Sequence, residues 1–417
     1  MTPAFLREAS APRNRADVGC RRAGLASPGR RLLRLDPEHM LSLASRRTGL
    51  HDFGDPAFRE PLARLLGSLE CEARLNLLGR FAAREDLTGM LMNRLRMERD
   101  RRRHPGIAAE DIRRPLFITG LPRSGSTFLH GLLAQDPANR VPLHWELRSP
   151  SPPPERATHE TDRRIERAAR DIRWFLHFAP EFRKVHTVGA QLPEECVVIL
   201  SHSFLSFQFS STWFVPSYQS WLERQDLRPA YRYHRQFLQQ LQWGCPGERW
   251  VLKAPPHLPG LRALFATYPD ANVVMTHRDP LEVVASVANL HLVLRRTFSD
   301  VVDSHAVGAE VTGMLAGDIR RGFEMRDDGC APPERFVDVR YPELMDDPLA
   351  VARRIYRHFD LPLSTEAEAR MRRFVAASPK DTQRPHVYSL AQFGLDADVE
   401  RQRYRAYWER WRGPDGA

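Results

Sequence analysis

The stretch that most constrains the fold is "PLFITGLPRSGSTFLHGLL", residues 115–133. Residues 116–119 form a short apolar run, which is typical of a buried parallel strand. From Gly120 to Thr127 the spacing fits the phosphate-binding pattern G-x-x-x-x-G-K-[ST], except that Ser126 stands in place of the lysine. A strand, a glycine-containing loop and a helical pattern in this order predict an α/β fold with an anion site where the helix begins.

Three later segments have the same strand-like character. They cover residues 249–258, 271–280 and 335–341, and helical patterns of ten or more residues separate them. Strands that alternate with such helices indicate a parallel sheet covered by helices on both faces. The sequence therefore predicts a three-layer α/β fold with a phosphate-loop-like parallel sheet.

The chain divides into three predicted parts. Residues 1–34 carry eight Arg and two acidic residues with no apolar periodicity, so we expect a disordered tail. Residues 35–110 have apolar positions at helical spacing and predict a helical N-terminal extension. Residues 111–417 then form the α/β domain, with a helical insertion at about 155–245 whose aromatic side chains favour a core over a pocket.

Composition excludes several classes of protein. The net charge is +10, but most of the excess lies in the Arg-rich tail, so the body is close to neutral and no nucleic-acid partner is expected. The sequence contains no run of 18 apolar residues, so no membrane span is expected. The five cysteines are scattered without a C-x-x-C pair, which indicates free thiols in a reducing, cytoplasmic setting and predicts no metal site.

The loop itself has the chemistry of an anion site. Backbone N–H groups at the start of a helix attract anions, and Gly125 lets the backbone approach a ligand. Arg123 adds a forked donor suited to phosphate or sulfonate oxygens, and Ser124, Ser126 and Thr127 add hydroxyls.

Two other cations follow predicted strands directly. Lys253 ends one strand, and Arg278 ends the next, with Ser286 eight residues further on. Because ligands of parallel sheets bind beyond the carboxyl ends of the strands, these residues should project to the same edge as the loop. We expect Arg278 and Ser286 to contact a second anion.

A kinase that uses ATP and magnesium is the alternative class. Such an enzyme holds the metal with an Asp that closes a later hydrophobic strand. Here "NVVMT" ends in His277 and Arg278 instead. The missing lysine and the missing carboxylate both disfavour hydrolysis of a nucleoside triphosphate.

Four segments in this order resemble the sulfotransferase family, in its bacterial branch related to tyrosylprotein sulfotransferases. They are "PLFITGLPRSGSTFLHGLL", "WVLKAPPHL", "YPDANVVMTHRDPLEVVASV" and "RYPELMDDP". The resemblance covers about residues 115–350, and "HVYSLAQFGL" at 386–395 is similar to the closing segment of the branch. The chain departs from the commonest loop at Ser126, where Thr is usual, and from the steroid and phenol branch at Arg123, where Lys is usual.

The resemblance implies a role for each of these positions. The loop from Arg123 to Thr127 would bind the 5'-phosphosulfate of 3'-phosphoadenosine 5'-phosphosulfate (PAPS), and Arg278 with Ser286 would bind its 3'-phosphate. Lys253 matches the family lysine that contacts the bridging oxygen as the sulfuryl group leaves. Tyr341 corresponds to a tyrosine near the nucleotide.

The expected reaction is an in-line sulfuryl transfer to a hydroxyl or amine without a metal. Lys253 and Arg123 are placed to stabilise the charge that develops on the nucleotide phosphate. The acceptor must lose a proton, and Glu146 is the candidate base because the tyrosylprotein and heparan branches carry a catalytic glutamate in a similar place. His144 is the rival base.

The sequence leaves several points open. A phosphate-loop kinase and a nucleotide-binding protein without turnover remain alternatives. The acceptor could be a small molecule, a glycan or a lipid, and neither the oligomeric state nor the role of the Arg-rich tail is readable.

Overall fold

A five-stranded parallel sheet lies at the centre of the molecule. The computed structural model describes residues 33–378 and 389–411. Within these residues the strands have the order β2-β3-β1-β4-β5, which confirms the predicted α/β class. The strands are β1 Leu116–Gly120, β2 Asn139–Arg140, β3 Arg249–Lys253, β4 Asn272–His277 and β5 Phe336–Arg340.

Helices account for most of the remaining described chain. The first half contains α1 Pro37–Thr48, α2 Arg59–Cys71, α3 Leu77–Arg103, α4 Gly106–Ala109, α5 Ser126–Leu133, α6 His144–Arg148, α7 Arg163–Phe178, α8 Phe182–Val185, α9 Cys196–Ser201 and α10 Gln208–Thr212. The second half contains α11 Pro216–Leu222, α12 Arg228–Gln242, α13 Leu261–Thr267, α14 Pro280–Phe298, α15 Ser304–Asp327, α16 Tyr341–Asp346, α17 Pro348–His358, α18 Thr365–Ala377, α19 Ala397–Arg403 and α20 Arg405–Trp411. Short 3-10 helices cover Pro56–Phe58, Arg156–Thr158, Pro255–Gly260, Pro333–Arg335 and Leu390–Phe393. None of the described helices is long and apolar enough to cross a bilayer.

The sheet is buried on both faces because side chains alternate along each strand. Phe117 and its neighbours pack with α12 and α13 on one face. Leu116 and Ile118 pack with α5, α17 and α18 on the other face. These two apolar layers explain the continuous apolar runs in the strands and produce three layers.

Strand β1 is central, with β3 on one side and β4 on the other. The chain therefore leaves β1 towards one edge of the sheet and later returns to its opposite side. In parallel sheets the crevice beyond the carboxyl end of such a strand is where ligands bind. In this protein that position is held by the glycine-containing loop.

The structure corrects two strand predictions. Strand β2 was not predicted, because two residues paired with Arg249 and Trp250 are too few to show a period. The strand predicted over 249–258 ends at Lys253, since Pro255 begins a 3-10 helix and has no N–H to donate to a neighbouring strand.

The N-terminal helices and the aromatic part of the insertion share one core. Leu65 and Met90 from the former pack in the same buried cluster as Phe204, Phe209 and Trp213 from the latter. The predicted tail falls outside the described residues up to position 32, as do the first three residues of "HVYSLAQFGL". The predicted domain boundaries stay predictions.

Candidate active site

The loop after β1 is held by two glycines in the left-handed region. Gly120 has φ 122°, and a Cβ there would lie 2.2 Å from the carbonyl oxygen of Thr276. Gly125 has φ 81°, and a Cβ there would lie 2.9 Å from a methyl of Leu344. Glycine is therefore required at both positions, because the loop is pressed against β4 and α16. Arg123, between them, also has a positive φ of 62°.

Ser124 braces the loop from inside. Its side chain is buried, and its hydroxyl contacts the carbonyl of Leu121 and lies 2.6 Å from the hydroxyl of Thr276. Ser124 is not among the residues that line the neighbouring cavity. In this geometry the Ser124 side chain stabilises the turn of the loop. Its predicted contact with a ligand stays a prediction.

Ser126 and Thr127 form the first turn of α5 and line the cavity. Backbone N–H groups of a first helical turn have no partner within the helix, and the helix dipole places partial positive charge there. The start of α5 therefore has the geometry that the predicted anion site requires, and the site itself stays a prediction.

Lys253 reaches the same point from the end of β3. The residue is 2% exposed. Its Nζ donates a hydrogen bond of 3.2 Å to Thr127 Oγ1 and forms an ion pair with Glu195. A buried lysine held against the phosphate-type loop is positioned to contact an anion seated in that loop.

Arg278 reaches the loop from the end of β4. Its Nη1 donates to the carbonyl of Arg123 at 2.8 Å, and its guanidinium lies 4.1 Å over the ring of Tyr341. Its Nε donates to Glu282 at 2.8 Å. Ser286 accepts a hydrogen bond of 3.2 Å from Arg123 Nε. The residues predicted for the two anions are therefore in direct contact with each other.

Arg123, Thr127 and Arg278 line one cavity of about 1030 Å³. Lys253 and Ser286 are not among the lining residues, but Lys253 contacts Thr127 and Glu195, which are. We call its loop side, with Arg123, Lys253 and Arg278 at or beside the surface, the cationic half. Its other side, the apolar half, is formed by Phe207, which directly precedes α10, and by α14 and α15. Its lining residues include Phe207, Val287, Leu290, Met314 and Leu315.

Glu146 lies outside the residues that line the cavity. It is 0% exposed, forms an ion pair with Arg140, and accepts hydrogen bonds from the backbone of Leu143 at 2.9 Å and from His159 at 3.0 Å. Burial raises its pKa, but Arg140 and these hydrogen bonds outweigh burial and hold the pKa below the usual value. Its predicted role as base stays a prediction, and its contacts favour a structural role.

His144, the rival base, is also tied to a neighbour. Its Nδ1 lies 2.7 Å from Glu194 Oε2. Burial opposes ionisation of Glu194, yet the hydrogen bond with His144 lowers the pKa of Glu194 to about 2. His144 is not among the residues that line the cavity either.

The sequence reasoning missed His186, which does line the cavity together with Glu195. Burial lowers the pKa of His186, and Lys253 and Arg123 lower it further, while Glu195 opposes them. A histidine with a lowered pKa is neutral near pH 7 and can accept a proton. The signal in "KVHTVGAQLPEE", residues 184–195, was one His and two Glu before an apolar helix, which is too weak to locate a site.

Fold and site together define a class. The molecule is a phosphate-loop-like α/β protein with cationic side chains gathered at the carboxyl edge of its sheet, and an arginine rather than an acidic residue follows β4. The sequence model of the sulfotransferase family matches residues 115–365, and the chain belongs to this family.

Two curated relatives carry the same description, omega-hydroxy-beta-dihydromenaquinone-9 sulfotransferase Stf3, and come from Mycobacterium bovis and Mycobacterium tuberculosis. Each is 27% identical over 273 residues, which is 59% of this chain and 63% of the relative. The chain thus spans less than two thirds of their length.

Two solved structures are similar over most of the chain. Sulfotransferase STF1 from Mycobacterium tuberculosis H37Rv is 35% identical, with a TM-score of 0.80 over 88% of this chain and 98% of the neighbour. Sulfotransferase STF9 from Mycobacterium avium is 30% identical, with a TM-score of 0.81 over 90% of this chain and 97% of the neighbour.

Proposed function

We propose that this protein transfers a sulfuryl group from PAPS to a hydroxyl of an apolar acceptor. The observation that carries the proposal is the convergence of Arg123, Lys253 and Arg278, from three separate strand ends, beside one cavity with an apolar opposite wall. Membership of the sulfotransferase family supports the reaction class.

The cationic half fits a nucleotide with two anionic groups. Gly120 and Gly125 let the loop turn tightly against β4 and α16. The first turn of α5 then presents N–H groups where a phosphosulfate would lie. Arg278, stacked over Tyr341, supplies a guanidinium at the adjoining position for a 3'-phosphate. The hydrogen bond from Arg123 to Ser286 connects the loop with the position proposed for the 3'-phosphate.

Lys253 and Arg123 are the groups that stabilise the transition state. In sulfuryl transfer from PAPS, negative charge grows on the nucleotide phosphate as the bond to sulfur breaks. Fixed cations beside that oxygen stabilise this charge more than they stabilise the bound substrate. Glu195 and Thr127 hold Lys253 in place, so its ammonium group is oriented before reaction.

We assign the general base to His186 rather than to Glu146. His186 lines the cavity, and its lowered pKa keeps the imidazole neutral and able to take the proton of the acceptor hydroxyl. Glu146 already accepts bonds from Arg140, His159 and a backbone N–H, so accepting a proton there would break a buried network.

The apolar half favours a lipid-like acceptor over a glycan. Phe207 and aliphatic side chains of α14 and α15 line most of it, and such a surface holds hydrocarbon rather than sugar hydroxyls. Its polar lining residues are Gln208, Ser211, His291 and Asp318. The printed name of the curated relatives also describes a lipid acceptor with a terminal hydroxyl. A reducing, cytoplasmic setting is part of the proposal, supported by the free thiols of Cys71, Cys196, Cys245 and Cys330.

A thermal-shift comparison tests the donor. We expect 3',5'-ADP to raise the melting temperature more than 5'-AMP, because Arg278 contacts the 3'-phosphate. Equal shifts from both nucleotides would remove the reason for naming PAPS. A larger shift from ATP with magnesium than from 3',5'-ADP would favour the kinase alternative.

A further inference from the structure

A cluster of one cysteine and two histidines lies directly behind the cavity. Cys196, His234 and His257 are each 0% exposed, and their Sγ and nitrogen ligand atoms lie within 4.8 Å of one another. They come from three elements: the start of α9, the middle of α12 and the 3-10 helix after β3. Thiolate and imidazole are the side chains that bind thiophilic metal ions.

Both histidines have one partnered and one unpartnered nitrogen. His257 Nδ1 lies 2.7 Å from the hydroxyl of Tyr231, and His234 Nδ1 lies 2.8 Å from the hydroxyl of Tyr268. The two Nε2 atoms are buried without a hydrogen-bond partner among the described residues. A buried polar atom without a partner costs about 1 to 3 kcal/mol, so two of them in one place indicate a missing ligand.

We propose that Cys196, His234 and His257 form a buried three-ligand site for a thiophilic metal ion, best matched to Cu⁺. The two tyrosine hydroxyls hold the imidazole rings at Nδ1 and direct both Nε2 atoms to the ion, as hydrogen-bonded partners of metal ligands commonly do.

The distances between the three ligand atoms would match those of a metal site after small side-chain movements. Metal-bound sulfur lies about 2.3 Å and nitrogen about 2.0 to 2.1 Å from the ion, which separates ligand atoms by about 3.5 to 3.8 Å in trigonal geometry. The three ligand atoms now lie up to 4.8 Å apart, so binding an ion requires side-chain shifts of about 1 Å. On binding, the Cys196 S–H bond breaks, a sulfur–metal bond forms, and the proton passes to solvent.

Charge favours the monovalent ion. Cu⁺ bound to one thiolate and two neutral imidazoles has no net charge, whereas Zn²⁺ in the same site leaves one positive charge in an apolar core. Burying an unpaired charge is costly. Zn²⁺ in structural sites also takes four ligands, and three are found here among the described residues.

The site is linked to the cationic half by the chain itself. Cys196 follows Glu195, and its sulfur is hydrogen-bonded to the backbone of Lys253. His257 lies four residues after Lys253, in the 3-10 helix that lines the cavity through Pro255 and Pro256. A bound ion would therefore fix the two segments that carry the Glu195–Lys253 ion pair, as a structural metal rather than a reacting one.

Metal content of the whole chain tests the proposal. The protein is loaded with Cu⁺ or with Zn²⁺, one at a time, by expression in supplemented medium and by anaerobic refolding from urea. After desalting against a chromophoric Cu⁺ chelator, we expect about one equivalent of Cu⁺ per chain and a melting temperature higher by several degrees than that of the metal-free protein. Cys196→Ser and His257→Gln should each lose the bound ion.

Cys245→Ser is the matched control, because Cys245 is also a buried free thiol and is not part of the cluster. It should retain the full equivalent. Wild-type protein that binds less than about a tenth of an equivalent of either ion would overturn the proposal, with water then bridging the two nitrogens. Unchanged binding by Cys196→Ser would overturn the ligand set, and uptake of Zn²⁺ without Cu⁺ would overturn the choice of ion. The wild-type measurement decides the question even if a variant fails to fold.

Discussion

The cationic and apolar halves of the cavity are built in different ways. The cationic half is made from residues at or just beyond the carboxyl ends of β1, β3 and β4, and those strands are neighbours in the sheet. The apolar half is made from helices whose contacts depend on how the insertion and α15 pack. Sheet topology alone thus places the first set, whereas the second set depends on the whole tertiary structure.

Because of this difference, we expect the two halves of the cavity to have separate functions. Changes in the cationic half should alter nucleotide binding and chemistry for every acceptor. Changes in the apolar half should alter the choice of acceptor and leave the nucleotide untouched. His186 and Lys253, where the proposed reaction takes place, should affect turnover with every acceptor.

The largest effect is expected at His186. His186→Gln should lower kcat by about 10²- to 10⁴-fold because it removes the proposed base, while the affinity for 3',5'-ADP stays unchanged. Transfer of a radiolabelled sulfuryl group to a long-chain primary alcohol is the measurement. In the wild type, kcat/KM should fall as pH drops through the His186 pKa, which lies below the ordinary value of about 6.5, and this limb should vanish in the variant.

Glu146→Gln is the companion variant for His186. It leaves Arg140 buried without its charged partner, so we expect a loss of stability of about 3 to 5 kcal/mol and near-normal kcat per folded molecule. Urea unfolding and active-site titration separate the two quantities. A stable Glu146→Gln protein that has lost turnover would restore the base predicted from the sequence.

The next largest loss of kcat is expected at Lys253. Lys253→Met removes a cation from the developing charge, and kcat should fall by about 10²- to 10³-fold with every acceptor. Lys184→Met is the matched control, since Lys184 is exposed and pairs with Glu181 on the surface. Equal rates for Lys253→Met and the control would show that Lys253 only packs beside Glu195.

Arg278 tests whether the cationic half recognises the 3'-phosphate of the nucleotide. Arg278→Gln removes a charged contact worth about 1.5 to 3 kcal/mol, so 3',5'-ADP should bind about 10- to 100-fold more weakly. Affinity for 5'-AMP should change little, and acceptor KM should not change. Calorimetric titration of both nucleotides measures the effect, and an equal loss for the two would mean that Arg278 supports the loop through the Arg123 carbonyl instead.

The same difference explains what the sequence could predict. Arg123, Lys253 and Arg278 each follow an apolar run, and parallel strands end at one edge, so their meeting could be inferred without coordinates. The detailed hydrogen bonds of the site could not be inferred in this way. Ser124 contacts the hydroxyl of Thr276, and Ser286 accepts a hydrogen bond from Arg123. These depend on the turn of the loop at Gly120 and Gly125.

Residues outside the strand ends were harder to assign. Glu146 follows the loop helix at a suggestive spacing, but Arg140 and His159 enclose it in a way that no local pattern shows. His186 and Glu195 are far from any strand in the sequence and reach the cavity through the packing of the insertion. The proposed metal ligands Cys196, His234 and His257 could not be found from the sequence either, since their spacing matches no metal motif.

The smallest effect is expected in the apolar half. Met314 lines the cavity on α15, and Met314→Gln should weaken binding of a long-chain acceptor by about 1 to 1.5 kcal/mol, or about 5- to 10-fold in KM. Nucleotide affinity should be unchanged. Met345→Gln is the control, because Met345 lines the same cavity on α16, beside the loop. If Met345→Gln raised acceptor KM and Met314→Gln did not, the acceptor would lie against α16 and the two halves would exchange roles.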